Sequence, residues 1–187
     1  MSGPQNKVVG AERGQIPAEI TSAIKILRFD NNIHRRQNAI SDLIDFAESH
    51  PKWIQFIAIE LKAALRNDPE PYVRKHIITG IESLPNDLAK TFIPNIKRVL
   101  NQDPDISVKK RAIDWLSEIL DRSESRILKD EAENKKQDEL IRGAAIIALG
   151  KMGELKYLNQ LKKRIEPKYA QLISVVIREN TPERIIR

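Results

Sequence analysis

The stretch that decides the fold reads DPEPYVRKHIITGIESL over residues 68–84, and residues 103–119 carry a second copy that reads DPDISVKKRAIDWLSEI. The two copies align without gaps, 35 residues apart. The pattern is found once more on either side, at Arg36 and at Arg142, so four units follow one another at spacings of 38, 35 and 33 residues. Periods of this size with helical patterning are typical of stacked helical arrays.

Large aliphatic side chains recur at two positions of each unit, three residues apart, which places them on one face of a helix. They are Ile40 and Leu43, Ile78 and Ile81, Ile113 and Leu116, and Ile146 and Leu149. Further amphipathic segments, such as residues 53–65 and 88–100, lie between these helices. Each unit is therefore predicted to be a helical hairpin, and the fold class to be all-α.

An acid precedes a base by six positions in three of the units. These pairs are Asp30 and Arg36, Asp68 and Arg74, and Asp103 and Lys109. The Asp can cap a helix, and the base can reach an Asp in the same or the adjacent unit, so we predict a structural ladder rather than a phosphate-binding stripe. The fourth unit has Lys136 at the acid position, and Asp138 is expected to cap its helix instead.

The repeats, together with the prolines and glycines at the helix ends, divide the chain into five units and two tails. The approximate units are 16–50, 51–86, 87–121, 122–153 and 154–179. Residues 1–15 are expected to be a disordered tail, and residues 180–187 a tail that docks, is disordered or binds a partner. Residues 122–137 have few apolar anchors, and they are either a loosely packed helix or an exposed insertion.

The pattern Asp-Pro-x-x-x-Val-Arg/Lys before an Ala/Ile-rich helix resembles the HEAT-repeat family, including the HEAT-like repeats of phycobilisome lyases. It is clearest at residues 68–84, 103–120 and 141–153, and the resemblance covers about residues 16–178. It implies a right-handed α-solenoid of about five helical hairpins, whose inner surface is lined by the second helix of each pair. Repeat families of this kind are mostly binding scaffolds and only rarely enzymes.

Composition excludes several classes of protein. The 187-residue chain has only nine aromatic residues and seven glycines, few for an all-β fold with tight turns. It has no cysteine, which excludes disulfides, thiolate catalysis and Cys-ligated metals and suits a reducing cytoplasm. No stretch approaches the roughly 18 apolar residues of a membrane span. We expect a soluble, cytoplasmic protein without membrane contact.

The net charge of +6 is concentrated at the C-terminal end, where residues 151–187 hold nine Lys or Arg against four Asp or Glu. A nucleic-acid binder needs such a concentrated basic face. Candidates for it are Lys162, Lys163, Arg164 and Lys168. A solvated helix face is the simpler interpretation.

The sequence contains no coherent catalytic set. His34, His50 and His76 occupy different repeat positions and have no spacing typical of metal ligands. The Gly150-Lys151 pair lacks the flanking residues of a phosphate-binding loop, so it indicates a helix end. We therefore predict no catalytic residue, no cofactor-binding residue and no metal ligand.

Trp115 stands where the other units have Asp42, Gly80 and Ala148. The indole is either packed in the core or projects into the groove as an anchor for a ligand. Alkylpurine DNA glycosylases built from HEAT-like repeats hold a damaged base with Trp and Asp on their concave face, and Asp114 precedes Trp115 here.

Our leading hypothesis is a non-enzymatic scaffold or adaptor that binds a partner protein on its inner surface. The candidate partner-binding residues are Lys75, Lys110, Asp114, Trp115 and Arg142. The alternative is nucleic-acid binding or DNA base excision by a protein of the HEAT-like class. A third hypothesis, bilin-lyase-like chromophore handling, rests on the repeat resemblance alone.

Overall fold

The structure is a computed structural model that describes residues 16–181, and this part of the chain is folded into helices joined by short turns, with no β-strand. The α-helices are α1 (Ala18–Phe29), α2 (Ile33–Ser49), α3 (Ile54–Asn67), α4 (Pro71–Gly80), α5 (Asn86–Lys90), α6 (Ile93–Gln102), α7 (Ile106–Ile119), α8 (Arg126–Glu133), α9 (Glu139–Lys151), α10 (Leu155–Leu161) and α11 (Pro167–Asn180). Short 3₁₀ helices, Pro51–Trp53 and Arg122–Glu124, precede α3 and α8. The all-α prediction is confirmed.

Neighbouring helices pack in pairs along the chain: α1 with α2, α3 with α4, α6 with α7, α8 with α9, and α10 with α11. The second helices of these pairs also contact one another in chain order, α2 with α4, α4 with α7, α7 with α9, and α9 with α11. Each pair therefore buries its apolar surface against the pairs before and after it.

The recurring aliphatic positions form the core between these pairs. All eight predicted residues are fully buried: Ile40, Leu43, Ile78, Ile81, Ile113, Leu116, Ile146 and Leu149. Burying a side chain of this kind contributes about 1.5–3 kcal/mol relative to leaving it in water. The repeat in the sequence is thus a repeat of core positions.

Two glycines allow the second helices to approach closely. A Cβ atom at Gly80 would overlap with Ile44 of α2, and one at Gly150 would overlap with Val176 of α11. Gly153 has a φ of 74°, the left-handed conformation that ends a helix, and it follows α9 directly after Met152. A larger residue at Gly80 or Gly150 would need the side chain of Ile44 or Val176 to shift, and the backbone conformation at Gly153 favours glycine.

The polar segment before α9 forms a short packed helix. Leu128 and Ala132 of α8 are buried, and α8 packs against α9. Ser125, which is also buried, donates a hydrogen bond to Glu154 at 2.8 Å. Asp138 caps α9, as predicted, because its carboxylate accepts from the backbone N–H of Leu140 at 2.8 Å.

The predicted N-terminal tail, residues 1–15, and residues 182–187 of the predicted C-terminal tail lie outside the described part of the chain. None of the helices between residues 16 and 181 has the length and apolar character that crossing a membrane requires.

Candidate interaction surface

Buried arginine–aspartate pairs join successive helix pairs. Arg36 donates from Nε and Nη2 to the two carboxylate oxygens of Asp68, at 2.8 and 3.0 Å, and from Nη1 to the backbone carbonyl of Asp30 at 2.8 Å. Arg74 repeats this arrangement with the carboxylate of Asp103, at 2.7 and 2.8 Å, and the carbonyl of Asp68. These fork-to-fork contacts are the strongest form of ion pair. The two guanidinium groups are therefore occupied and are not free to bind phosphate.

Each aspartate of this ladder also closes the turn that it occupies. Asp68 ends α3 and accepts from the backbone N–H of Glu70 at 2.9 Å, and Asp103 ends α6 and accepts from Asp105 at 2.9 Å. Hydrogen bonding to Asp103 raises the pKa of Arg74 above its ordinary value. One carboxylate thus fixes both the turn and the contact with the preceding pair of helices.

The ladder is interrupted at Lys109, which is partly buried and has no ion pair in the described part of the chain. The residue that follows α8 at the position of Asp68 and Asp103 is Asn134, whose side chain accepts from the N–H of Lys136 at 3.0 Å. Asn134, and not Lys136, is therefore the fourth member of the acid column. Because the side chain of Asn134 is a neutral amide, Lys109 has no carboxylate at this position with which to form an ion pair.

Arg142 belongs to a final pair that the sequence reasoning missed. Its Nη1 and Nη2 donate to the carboxylate of Glu166, each at 2.9 Å, and its guanidinium lies 4.2 Å from the ring centre of Tyr169. The hydrogen bonds from Arg142 lower the pKa of Glu166 to about 2. Glu166 directly precedes Pro167, as Asp68 directly precedes Pro69. This acid–proline pair is the sequence signal that could have identified Glu166 as the partner of Arg142.

Two of the predicted partner-binding residues lie in the interior. Trp115 is fully buried, and its indole N–H has no hydrogen-bond partner. Arg142 is buried and paired with Glu166. The indole of Trp115 therefore fills space between helices and does not project into a groove. This corrects the prediction for both residues, and it leaves Asp114 without an indole beside it to hold a base.

The other three candidates lie on accessible parts of neighbouring second helices. Lys110 of α7 is exposed, while Lys75 of α4 and Asp114 of α7 are partly exposed. None of the three forms an ion pair with a described residue. We call Lys75, Lys110 and Asp114 the α4–α7 surface.

Polar contacts connect the second helices next to the α4–α7 surface. Ser41 of α2 shares a hydrogen bond with Nε2 of His76 at 3.0 Å. Arg111 of α7 donates to Thr79 at 3.1 Å and forms an ion pair with Glu82. Burial lowers the pKa of His76 and so favours its neutral ring. These contacts fix the positions of α2, α4 and α7 relative to one another, next to the unpaired Lys75 and Lys110.

The charges on α2, α4 and α7 complement the helix dipoles only at the start of α7, where the carboxylate of Asp105 caps the helix. None of these three helices has an acid in its first turn or a base in its last turn. Unpaired acids lie towards the C-terminal ends instead, at Asp45 of α2 and Glu118 of α7. A charge at the wrong end of a helix costs about 0.3–1 kcal/mol. This cost applies to Glu118 in the last turn of α7, while Lys75, Lys110 and Asp114 lie away from the helix ends.

The basic C-terminal residues are partly neutralised. Arg164 forms an ion pair with Glu133 at 2.6 Å, and Lys168 forms one with Glu139. Lys162 and Lys163 are exposed without an acidic partner between residues 16 and 181. The predicted basic face is therefore reduced to two free lysines.

Two clefts lie beside the ladder. The larger, of about 500 Å³, is bordered by Phe29 and by the ion pair of Arg28 with Glu60, whose closest atoms are 2.6 Å apart. The smaller, of about 220 Å³, lies beside Arg74 and Asp103. Their buried charged groups already have partners.

Possible metal ligands are not brought together in the described range. No group of three His, Cys, Asp or Glu residues there is placed to hold a metal ion. His50 stacks on Phe46, with ring centres 4.1 Å apart. Comparison with models of known protein families finds no match, and comparison with curated proteins finds none either. The geometry of the chain itself therefore carries the functional argument.

Proposed function

We propose that the protein is a non-enzymatic, cytoplasmic scaffold or adaptor, an α-solenoid of HEAT-like helical hairpins that binds a partner protein along its second helices. The solenoid is supported by the contacts of α2, α4, α7, α9 and α11 in chain order and by the ladder that joins successive pairs. A stack of this kind presents an extended surface for binding.

The observation that carries the proposal is the set of unpaired charges on the second helices. Lys75 and Lys110 lie on one part of this surface, while Asp114 and Glu118 lie further towards the C-terminal ends. Elsewhere the chain pairs its buried charges closely, as at Arg36 and Arg74. Unpaired charges of both signs on one surface are suited to a partner protein of complementary charge.

Affinity capture tests this function. The tagged full-length chain is compared with the double variant Lys75→Glu and Lys110→Glu, and captured proteins are identified by mass spectrometry. The matched control is the double variant Lys25→Glu and Lys97→Glu, which makes the same charge change at exposed, unpaired lysines of the first helices α1 and α6. A partner should be retained by the wild type and the control and lost from the test variant. Identical capture by all three proteins contradicts the proposal.

Nucleic-acid binding is the second candidate, favoured by the free side chains of Lys162 and Lys163 and the net charge of +6. Titration with labelled DNA and RNA at about 50 and 200 mM salt separates the two functions. The scaffold function predicts no salt-dependent binding. Binding that falls steeply with salt and is lost in the double variant Lys162→Glu and Lys163→Glu would favour the second candidate instead.

A further inference from the structure

The turns inside the helix pairs reverse their charge along the chain. The first three turns, residues 30–32, 68–70 and 103–105, contain five acids and no base. The last two turns, residues 134–138 and 162–166, contain five bases and two acids, and each is longer by two residues. The first three pairs of helices form without these bases, so the bases are not a requirement of the turn itself.

The last two turns lie side by side. Arg164 of the last turn forms an ion pair at 2.6 Å with Glu133, which ends α8 directly before the other turn. Lys168, at the start of α11, pairs with Glu139 at the start of α9. Contacts on both sides of the two turns thus hold them next to each other. Four lysines of these turns are exposed, and we call them the lysine edge: Lys135, Lys136, Lys162 and Lys163.

The lysine edge has more positive charge than its surroundings neutralise. Its four lysines form no ion pair with any residue between 16 and 181. Of the two acids in these turns, Glu166 is paired with Arg142. The other, Asp138, has no ion pair in the same range and accepts from the backbone N–H of Leu140 at 2.8 Å. Four unpaired bases therefore lie beside one unpaired acid.

The acids at the adjoining helix ends do not change this balance. Glu133 and Glu139 are the partners of Arg164 and Lys168. Glu131 of α8 is buried and accepts from the side-chain amide of Gln137 at 2.7 Å. The lysine edge is thus suited to an anionic ligand from outside the described chain.

The kind of base favours carboxylates over a phosphate backbone. Arginine binds phosphate with a two-pronged guanidinium group, but Arg142 and Arg164 are already paired with glutamates. Four lysines are also fewer than the roughly six to ten phosphate contacts of strong nucleic-acid binders. A protein segment can place an uncharged residue opposite Asp138, whereas a nucleic-acid backbone is charged at every step.

We propose that the lysine edge binds an extended, acidic segment of a partner protein, whose carboxylates pair with lysines of both turns. Packed helices lie about 8–10 Å apart. Residues three apart in an extended chain are separated by about 10 Å, so acids at this spacing reach both turns at once. The inference rests on the proposed function and deepens it, because it names a segment of the partner and a second surface that contacts it.

The probe is a fluorescein-labelled 12-residue peptide with the repeat Glu-Glu-Ser, and its matched control has the repeat Gln-Gln-Ser. A labelled single-stranded DNA of nine nucleotides carries the same number of negative charges as the glutamate peptide. Each probe is titrated with the full-length chain at about 50 mM salt, and binding is followed by fluorescence anisotropy. The glutamate peptide should bind at least about tenfold more tightly than the glutamine peptide, and more tightly than the DNA.

Two double variants locate the binding, one for each turn. They are Lys135→Gln with Lys136→Gln, and Lys162→Gln with Lys163→Gln. Each should weaken binding of the glutamate peptide by about fivefold, because two exposed ion pairs are lost. Circular dichroism should show that both fold as wild type does, since these lysines are exposed and have no partner in the described range.

The matched control is Lys25→Gln with Lys97→Gln, which removes two exposed, unpaired lysines from the first helices α1 and α6 and should bind the glutamate peptide as wild type does. Four results would overturn the inference: equal binding of the two peptides, tighter binding of the DNA, equal binding by the test and control variants, or a loss confined to the variant of one turn.

This test is separable from that of the proposed function. A captured partner that needs Lys75 and Lys110, without binding of the glutamate peptide, removes this inference alone. Binding of the glutamate peptide to both turns, without any captured partner, removes the proposed function alone.

Discussion

Arg74 donates two parallel hydrogen bonds to the carboxylate of Asp103, which lies at the end of the first helix of the next pair. The pair is almost completely shielded from water, with 8% of the arginine side chain and 5% of the aspartate side chain exposed. The same contact joins Arg36 to Asp68 one pair earlier. The ladder is thus a set of buried contacts between successive pairs and not a surface for ligands.

Replacement of Arg74 should destabilise the fold before it affects any binding. Arg74→Ala leaves the carboxylate of Asp103 buried without its partner, and we expect a loss of about 3–5 kcal/mol in the free energy of unfolding. Urea unfolding followed by circular dichroism measures this loss. The control is Arg126→Ala, which breaks an exposed pair with Asp130 and should change stability by less than about 1 kcal/mol. Equal stability of Arg74→Ala and wild type would contradict the ladder.

Restoring the missing acid should extend the ladder. The double variant Asn134→Asp and Lys109→Arg places a carboxylate and a guanidinium where the neighbouring units have them, and we expect a gain of about 1 kcal/mol in the free energy of unfolding. Lys136→Asp with Lys109→Arg serves as the control, because Lys136 does not occupy the end of α8. A larger gain from the control than from the double variant at Asn134 would show that the acid column has been assigned to the wrong residue.

The contact of Arg142 with Glu166 should make stability depend on pH. The pKa of Glu166 is lowered from 4.5 to about 2, so the folded state favours the ionised carboxylate. Its contribution is complete above pH 4.5 and is lost as the pH falls towards 2. Glu166→Gln should therefore be less stable than wild type at pH 7, and the difference should shrink in urea unfolding experiments between pH 4.5 and 2. A difference that stays constant over this range would contradict the pairing.

Trp115 should behave as a core residue in spectroscopy and in stability. In a Trp53→Phe background, fluorescence of the single remaining indole should resist quenching by acrylamide, because Trp115 is fully buried. Trp115→Ala should lower the free energy of unfolding by about 3–5 kcal/mol. Trp115→Phe should cost less, since the indole N–H has no partner to lose. Efficient quenching of Trp115 would show that its indole is accessible to solvent and would contradict its place in the core.

The all-helical fold could be read from the sequence because its determinants are local and repeated. Ile78 and Ile113 stand at equal distances from their Asp-Pro turns, and both positions are core positions in the structure. The repeat spacing did not identify Asn134, because Asn134 lies eight residues before Arg142, whereas the acids of the earlier turns lie six residues before their bases. A fixed spacing cannot detect a longer turn.

The surface was harder to predict than the core. Trp115 occupies an inward position in the structure, but its column also contains an exposed aspartate, Asp42, so residue type alone did not show which way it points. For a related reason, the sequence does not show that the apolar side chain of Leu140 is exposed. An apolar residue in a helix normally indicates core, and only the packing of α9 against α7, α8 and α11 shows which side is left open.

We propose that the protein binds its partner through the second helices, and the dissociation constant of the captured partner, determined by isothermal titration calorimetry, tests this proposal. We expect the double variant Lys75→Glu and Lys110→Glu to bind at least about tenfold more weakly than wild type, and Lys25→Glu with Lys97→Glu to bind as wild type does. Equal dissociation constants for all three proteins would contradict the claim.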